Sequence, residues 1–226
     1  MKKLTKHALF LLLIAVLTVL TAIGLAQDRP VSIDAQIEKR NALTEALRRG
    51  GIEAATEIDP NYVGTLNPHP GWLDYDIEML TKKSRAIIIG VPLRNRGRLN
   101  ASGSSLNTVY DVLVEEVVKG DIEQGSTVKV ALSGGKVSFS GGRTAEIRTP
   151  GFRKMTNGRT YALYLDDSDN DGMFDLTAGP QGLLELRGTE VYSHAEEGRS
   201  IKEQVKDKNL INFLREARMQ AGRYPR

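Results

Sequence analysis

Between Arg85 and Tyr192 short apolar runs of strand length alternate with glycine-rich breaks, a punctuation that belongs to an all-β domain and not to a βαβ sheet. "AIIIGVPL" is one continuous apolar run. "TVYDVLVEEVV" sets Tyr110, Val112, Val114 and Val118 on one face and Leu113 and Val117 on the other, and "STVKVAL" sets Val128, Val130 and Leu132 together. "SGGKVSFSGG" reads as a short strand or loop between glycine pairs. An Asn157-Gly158 turn leads into Tyr161, Leu163 and Leu165, and "TAGPQG" precedes "LLELRG". About six short strands at this spacing predict a mainly β domain, a small barrel or a sandwich.

The flanks differ in character. "SIDAQIEKRNALTEALRRGG" offers Ser32 or Asp34 as an N-cap, a narrow apolar stripe of Ile37, Leu43, Ala46 and Leu47, and the Gly50-Gly51 pair as a stop, which predicts a peripheral helix of about four turns. "EIDPNYVGTLNPHPGW", rich in proline, glycine and asparagine, predicts loop. "DYDIEMLTKKS" predicts a second short helix with Ile77, Leu80 and the stem of Lys83 on one face. "DKNLINFLREARMQAG" predicts a C-terminal helix capped by Asp207 or Asn209, burying Leu210, Phe213, Leu214 and Ala217 and closing at Gly222.

Lys2, Lys3, Lys6 and His7 precede an uncharged run, Ala8 to Ala26, that ends in small residues, the pattern of a secretory signal cleaved after Ala26. The competing reading is an uncleaved membrane anchor, since nineteen residues stand at the lower limit for a spanning helix. The chain contains no cysteine, which excludes a lipid-anchored lipoprotein and any disulfide. Loss of the first 26 residues leaves 28 Lys and Arg against 28 Asp and Glu, so the basic whole-chain balance is no argument for nucleic acid. Arg94, Arg96 and Arg98 form a local basic cluster without interleaved aromatics, the composition of a solvated loop. The expected organisation is 1–26 signal or anchor, 27–75 helical and loop-rich, 76–195 β-barrel, and 196–226 C-terminal helix and tail.

"YDVLVEEVVKGDIEQGSTVKV", followed by "NGRTYALYL" and "GPQGLLELRG", resembles netrin-module-like domains, OB-fold barrels that include the tissue inhibitors of metalloproteinases and many secreted bacterial proteins. The resemblance spans roughly Asp76 to Tyr192. It implies a helix and an apolar first strand, a long second strand ending in a Lys-Gly pair (here Lys119-Gly120), and a later glycine-plus-aromatic strand start, Gly158 to Tyr161. The inhibitors act through an N-terminal cysteine on the protease zinc, and this chain has none, so that mechanism does not carry over.

Catalytic constellations are sparse. His69 and His194 are the histidines beyond the targeting segment, no serine sits in a G-x-S-x-G elbow, and no phosphate-binding G-x-x-x-x-G-K-[ST] loop is present. Two isolated histidines do not make a catalytic zinc site. An OB barrel invites nucleic acid, but Asp111, Glu115 and Glu116 on the long strand repel phosphates.

The exception is "YLDDSDNDGMFDL", with five aspartates in ten residues. As a helix-loop-helix calcium motif it fails, because position twelve is Ala178 instead of glutamate. It resembles the Asp-x-Asp-x-Asp-Gly-x-x-Asp calcium hairpin of integrin-type repeats, with Asp167, Asp169, Asp171 and Asp175 as carboxylate ligands and the Met173 carbonyl as a further one. Calcium takes six to eight oxygens at about 2.3–2.6 Å, which alternate side chains of a tight loop can supply while Gly172 permits the reversal. The competing reading is an open, solvated acidic turn. Together these features lead to an expectation: an exported, non-catalytic interaction module with a partner in the periplasm or outside the cell, its membrane contact confined to the N-terminal segment. An envelope hydrolase and a purely structural protein are the alternatives.

Overall fold

The computed structural model of the chain describes residues 32–66, 73–151, 153–167, 172–195, 199–206 and 208–224. It falls into two units, Met1–Thr44 and Glu45–Arg226. Of the first, residues 32–44 are described: they open helix α1 (Ile33–Ile58), and Ile33 and Ile37 are exposed there, as a narrow apolar stripe implies. Among the described residues no helix is long and apolar enough to cross a membrane. The run of residues 8–26 lies outside them.

The Gly50-Gly51 pair does not stop α1. Gly51 takes a left-handed conformation (φ 69°), the helix kinks, and the Ile52 N–H bonds to the Gly103 carbonyl at 2.9 Å before the helix resumes to Ile58. A Cβ on Gly51 would lie 2.4 Å from that carbonyl oxygen, so the close approach requires glycine. Beyond the kink Ile52, Ala55 and Thr56 are buried, and this burial carries the helix past its local stop signal.

The segment after α1 contains strand β1 (Asn61–Thr65) where loop was expected. Its partner is β6 (Thr144–Arg148), in parallel register from Asn61–Thr144 to Thr65–Arg148, and β6 pairs in turn with β5 (Gly135–Ser138). A strand whose ladder partner lies some eighty residues away leaves no local signal beyond the β-compatible "NYV". This three-stranded sheet packs Ala145 and Ile147 on Ile52 and Leu106.

The larger sheet contains β2 (Ala86–Leu99), β3 (Leu106–Lys119), β4 (Thr127–Ser133), β7 (Thr160–Asp167), β8 (Phe174–Leu176), β9 (Leu183–Arg187) and β10 (Glu190–Ser193). Their order is β10-β9-β7-β2-β3-β4-β8, and β7 also pairs with β8. Every pairing is antiparallel except β4 with β8. One face gathers Ile88, Tyr110, Val112, Val114, Val130, Leu132, Tyr161, Leu163 and Leu165. The other gathers Ile87, Ile89, Ala162, Tyr164, Leu184 and Val191. Helices α2 (Ile77–Lys83), α3 (Arg199–Val205) and α4 (Leu210–Arg223) cover it through Ile77, Leu80, Ile201, Val205 and Phe213. The fold is thus mainly β, two sheets with flanking helices. Burial on both faces explains why "AIII" and "YALYL" are apolar without alternation.

One strand and one helix present faces that differ from expectation. In β3 the register against β2 shifts between Ile89 and Gly90 and again between Ile87 and Ile88, which inserts Glu115 and Val118 as extra residues. Each insertion reverses the alternation, so Val117 joins Tyr110, Val112 and Val114 while Val118 packs with the helix-covered cluster. In α2 it is Thr81, not the stem of Lys83, that completes the buried face with Ile77 and Leu80, its hydroxyl donating to the Ile77 carbonyl at 2.7 Å. The C-terminal helix follows its pattern, with Asn209 as cap, although it runs through Gly222.

The Lys119-Gly120 pair joins sheet to helix. The Lys119 ammonium donates to the carbonyls of Thr81 (2.7 Å) and Ser84 (2.8 Å) at the C-terminal end of α2, where carbonyls lack helical partners and positive charge is favoured. Gly120 follows at φ 95°, and a Cβ there would sit 2.9 Å from the Arg85 carbonyl oxygen. Lys119→Met is expected to cost about 1–2 kcal/mol by removing the charged donor, and Gly120→Ala at least as much through backbone strain. Urea denaturation checks both, as a lower midpoint at unchanged slope; a midpoint equal to wild type would remove this joint from the account of stability.

Candidate functional site

β9 and β10 form a tight hairpin at one margin of the larger sheet, with Glu190 across from Arg187 and Tyr192 across from Glu185. β10 is the outermost strand there. Its outer edge takes one bridge, Glu190 to Asn209, reinforced by the Leu210 N–H to the Thr189 carbonyl at 2.8 Å. The chain then departs into α4, and a groove of about 590 Å³ lies between Val191–Ser193 and Lys202 and Val205 of α3, with Lys206 just beyond that helix. Val191 and Val205 form an apolar floor. Tyr192 stands at the lip, 38% exposed, with the Arg187 guanidinium 4.7 Å over its ring and its hydroxyl bonded to Glu190. Lys202, Lys206 and Lys208 bring positive charge to the walls, Lys208 being paired with Glu216.

Beneath the hairpin lies an ionic cluster in which Glu185 and His194 are buried and the arginines are half exposed. Glu185, 1% exposed, accepts from Arg187 Nε and Nη2 at 2.7 Å, from Arg159 Nη1 at 2.8 Å and from His194 Nε2 at 2.7 Å. An ionised carboxylate only accepts, so the Nε2 of His194 carries the proton. The Nδ1 is buried and has no partner among the described residues. His194 packs edge-on against Tyr161, and Tyr161, Glu185 and Tyr192 form one row across β7, β9 and β10. The Arg187 hydrogen bonds, with those of His194 and Arg159, outweigh burial and pull the Glu185 carboxyl down to about 2. All its donors are spent on holding the hairpin. The histidine was visible in the sequence, but its partner was not: the signal was a glutamate at an apolar-strand position in "LLELRG", two residues before an arginine. His69 lies outside the described residues.

The aspartate hairpin is described at its two strand ends. Asp167 pairs with Arg85, and the β7–β8 register sets Asp166 opposite Asp175 and Asp167 opposite Phe174. Met173 is buried, its sulfur 3.4 Å from Arg98 Nη1. Asp169 and Asp171 lie outside the described residues. Among the described residues no cluster of three or more acidic or histidine side chains is arranged to hold a metal ion.

No protein-family model matches the sequence, and no curated protein does.

Because Glu185 has a lower pKa in the folded chain than its ordinary value of 4.5, its contribution to stability is complete above that value and is lost as pH falls from about 4.5 to about 2. At about 1.4 kcal/mol per unit the loss is on the order of 3 kcal/mol. Chemical denaturation from pH 6 to pH 2 is expected to show this slope in the wild type and a flatter one in Glu185→Gln; parallel slopes would assign acid sensitivity to other carboxylates.

Proposed function

We propose that this chain is an exported, non-catalytic interaction module built on an OB-like small barrel, with the β10 groove as its binding surface. The barrel reading is supported by the pairing pattern, in which β2 joins β3, β3 joins β4, β4 joins β8 in parallel, β8 joins β7 and β7 returns to β2. That ring, with one parallel pair among antiparallel ones, fits a five-stranded Greek-key barrel of the kind the netrin-module resemblance implies. β9 and β10 extend it as a hairpin.

The observation that carries the functional reading is the groove beside an outermost strand. A sheet edge that already takes one backbone bridge from Asn209 and then opens onto an apolar floor suits an extended segment of a partner protein, which would add hydrogen bonds along Val191–Ser193. Tyr192, held by Arg187 and Glu190, supplies a rigid aromatic anchor of the type that dominates binding energy. The Glu185 cluster keeps the hairpin in place, which favours binding over hydrolysis as its purpose. The leading segment of residues 1–26 supports export to the periplasm or the exterior, or an outward-facing anchor at the inner membrane if it is retained.

A photo-crosslinking side chain at Tyr192 is expected to yield a discrete adduct in the exporting cell, one that Lys206→Glu weakens and that the same probe at Arg148 does not give. Identical adduct patterns at both positions, or none at Tyr192, would overturn the groove as a binding surface.

The aspartate hairpin is proposed as a structural calcium site that stiffens the β7–β8 connection, with Asp167, Asp169, Asp171, Asp175 and the Met173 carbonyl as ligands. Support comes from the spacing and from its strand-loop-strand setting. Thermal melts in excess EDTA and in millimolar calcium should differ, by about 2.7 kcal/mol at a hundred times Kd, and Asp169→Ala with Asp171→Ala should abolish the difference. Superimposable wild-type melts would leave a solvated turn.

A further inference from the structure

Every second residue along the outer half of β2 is an arginine, and the pairing sets all three on one side. Arg94 lies opposite Asp111, Arg96 opposite Val109 and Arg98 opposite Asn107. One strand farther, Asp111 opposes Lys129, Val109 opposes Ala131 and Asn107 opposes Ser133. Directly paired residues share a face, and the reverse of this one carries Tyr110, Val130 and Leu132 of the core; on this face Arg94, Arg96 and Arg98 are exposed, while Val109 and Ala131 between them are buried.

The charges on the rows do not cancel. Arg94 Nε reaches Asp111 at 2.5 Å, and the hydrogen bond from Arg94, with the nearby charges of Arg94, Lys129 and Arg96, holds the Asp111 carboxyl below its ordinary range. One carboxylate therefore serves three cations. Arg96 makes no ion pair among the described residues, and Arg98 directs an N–H at the Met173 sulfur, a weak acceptor. Among the described residues the next acids on this side are Asp175, beyond Ala131, and Asp166 beyond it. A cavity of about 180 Å³ adjoins Arg98, floored by Leu99, Val109 and Met173 and edged by Asn107. The Asn107 amide has no partner among the described residues.

We propose that this face binds an acidic oligosaccharide, with the exposed Arg96 and Arg98 gripping a sugar carboxylate and Asn107, at the mouth of the cavity, bonding a hydroxyl of the same ring. Arginines two positions apart on a strand stand about 7 Å from each other, within convergence distance for two flexible stems, and each guanidinium matches a carboxylate as a planar fork. An amide donates and accepts, as a hydroxyl requires. None of the residues in these rows is aromatic, so unstacked bases would find no platform. An acidic peptide would satisfy the arginines but leave Asn107 without its hydroxyl. Asp111 acts as a positioning residue, holding Arg94 and Lys129 at the rim. The face shares no residue with the β10 groove, and the inference does not rest on that reading.

Calorimetric titration of the full chain with hexagalacturonate tests it. Binding is expected that weakens with added salt and is absent for the methyl-esterified hexamer. Arg96→Gln with Arg98→Gln should lower affinity at least about tenfold, while Arg148→Gln, on the small sheet, should not. Asn107→Ala should weaken hexagalacturonate but not hexaglutamate. Arg96, Arg98 and Arg148 are exposed and Asn107 is half-buried, and equal thermal melts would show that the variants fold. Hexaglutamate or hexathymidylate binding as tightly as the sugar, an unchanged Arg96→Gln/Arg98→Gln double variant, or no binding of hexagalacturonate would each overturn the proposal.

Discussion

β2 is hydrogen-bonded to β3 along most of its length but to β7 only from Ala86 to Gly90, and the rest of the molecule is arranged around the point where that second pairing stops. Pro92 brings no N–H to the strand, and the register slips between it and Arg94. Before that point β2 is buried on both faces and its residues are isoleucines. After it the strand continues against β3 alone, and the outward positions become arginines. One strand thus serves as core staple in its first half and as a charged surface in its second, and its order in the sequence dictates where each lies.

The helices depend on the same strands through polar ties. Lys119 ends α2 by taking its last carbonyls, Ser84 Oγ bonds Thr177 Oγ1 at 2.9 Å, and the buried Gln181 accepts from the Tyr75 N–H and donates to the Leu73 carbonyl, both at 2.8 Å. The Lys119 and Gln181 ties satisfy backbone groups at a helix end or in a turn that would otherwise be left unpaired away from water, and the Ser84–Thr177 tie joins two side chains. The helical cover is therefore fixed in position by hydrogen bonds and in depth by Ile77, Leu80 and Phe213.

Elements of uniform environment were legible in the sequence because their patterns are local: the isoleucine run of β2, the continuous apolar run of β7 with Tyr161, Leu163 and Leu165 on one face, and the Asn209-capped helix that buries Phe213 and Ala217. What was not legible depends on partners far along the chain. β1 exists because β6 pairs with it. The Val117/Val118 inversion arises from bulges forced by β2, and the kink at Gly51 is held by a carbonyl in the β2–β3 turn. The Glu185 cluster failed to announce itself for a different reason: Arg187 and His194 stand only two and nine residues away, but nothing in the sequence marks them as its partners. Its arginines and histidine come from three elements, and a lone glutamate in an apolar strand has no period to betray it. The three arginines of β2 were plain as residue types, but their common face became visible only with the register to β3.

The outer edge of β10 also bears on how this chain behaves in a crowd of its own copies. Open strand edges are templates on which identical molecules can stack into ribbons, and proteins guard them with charge and brevity. β10 has four residues, one of them already bridged by Asn209, and it faces Lys202, Lys206 and Lys208. A second copy approaching edge to edge would bring the lysines of both copies into one narrow slot, with Lys208 of each already paired to Glu216. Brevity, the Asn209 bridge and the lysines beside it thereby guard this edge against self-stacking.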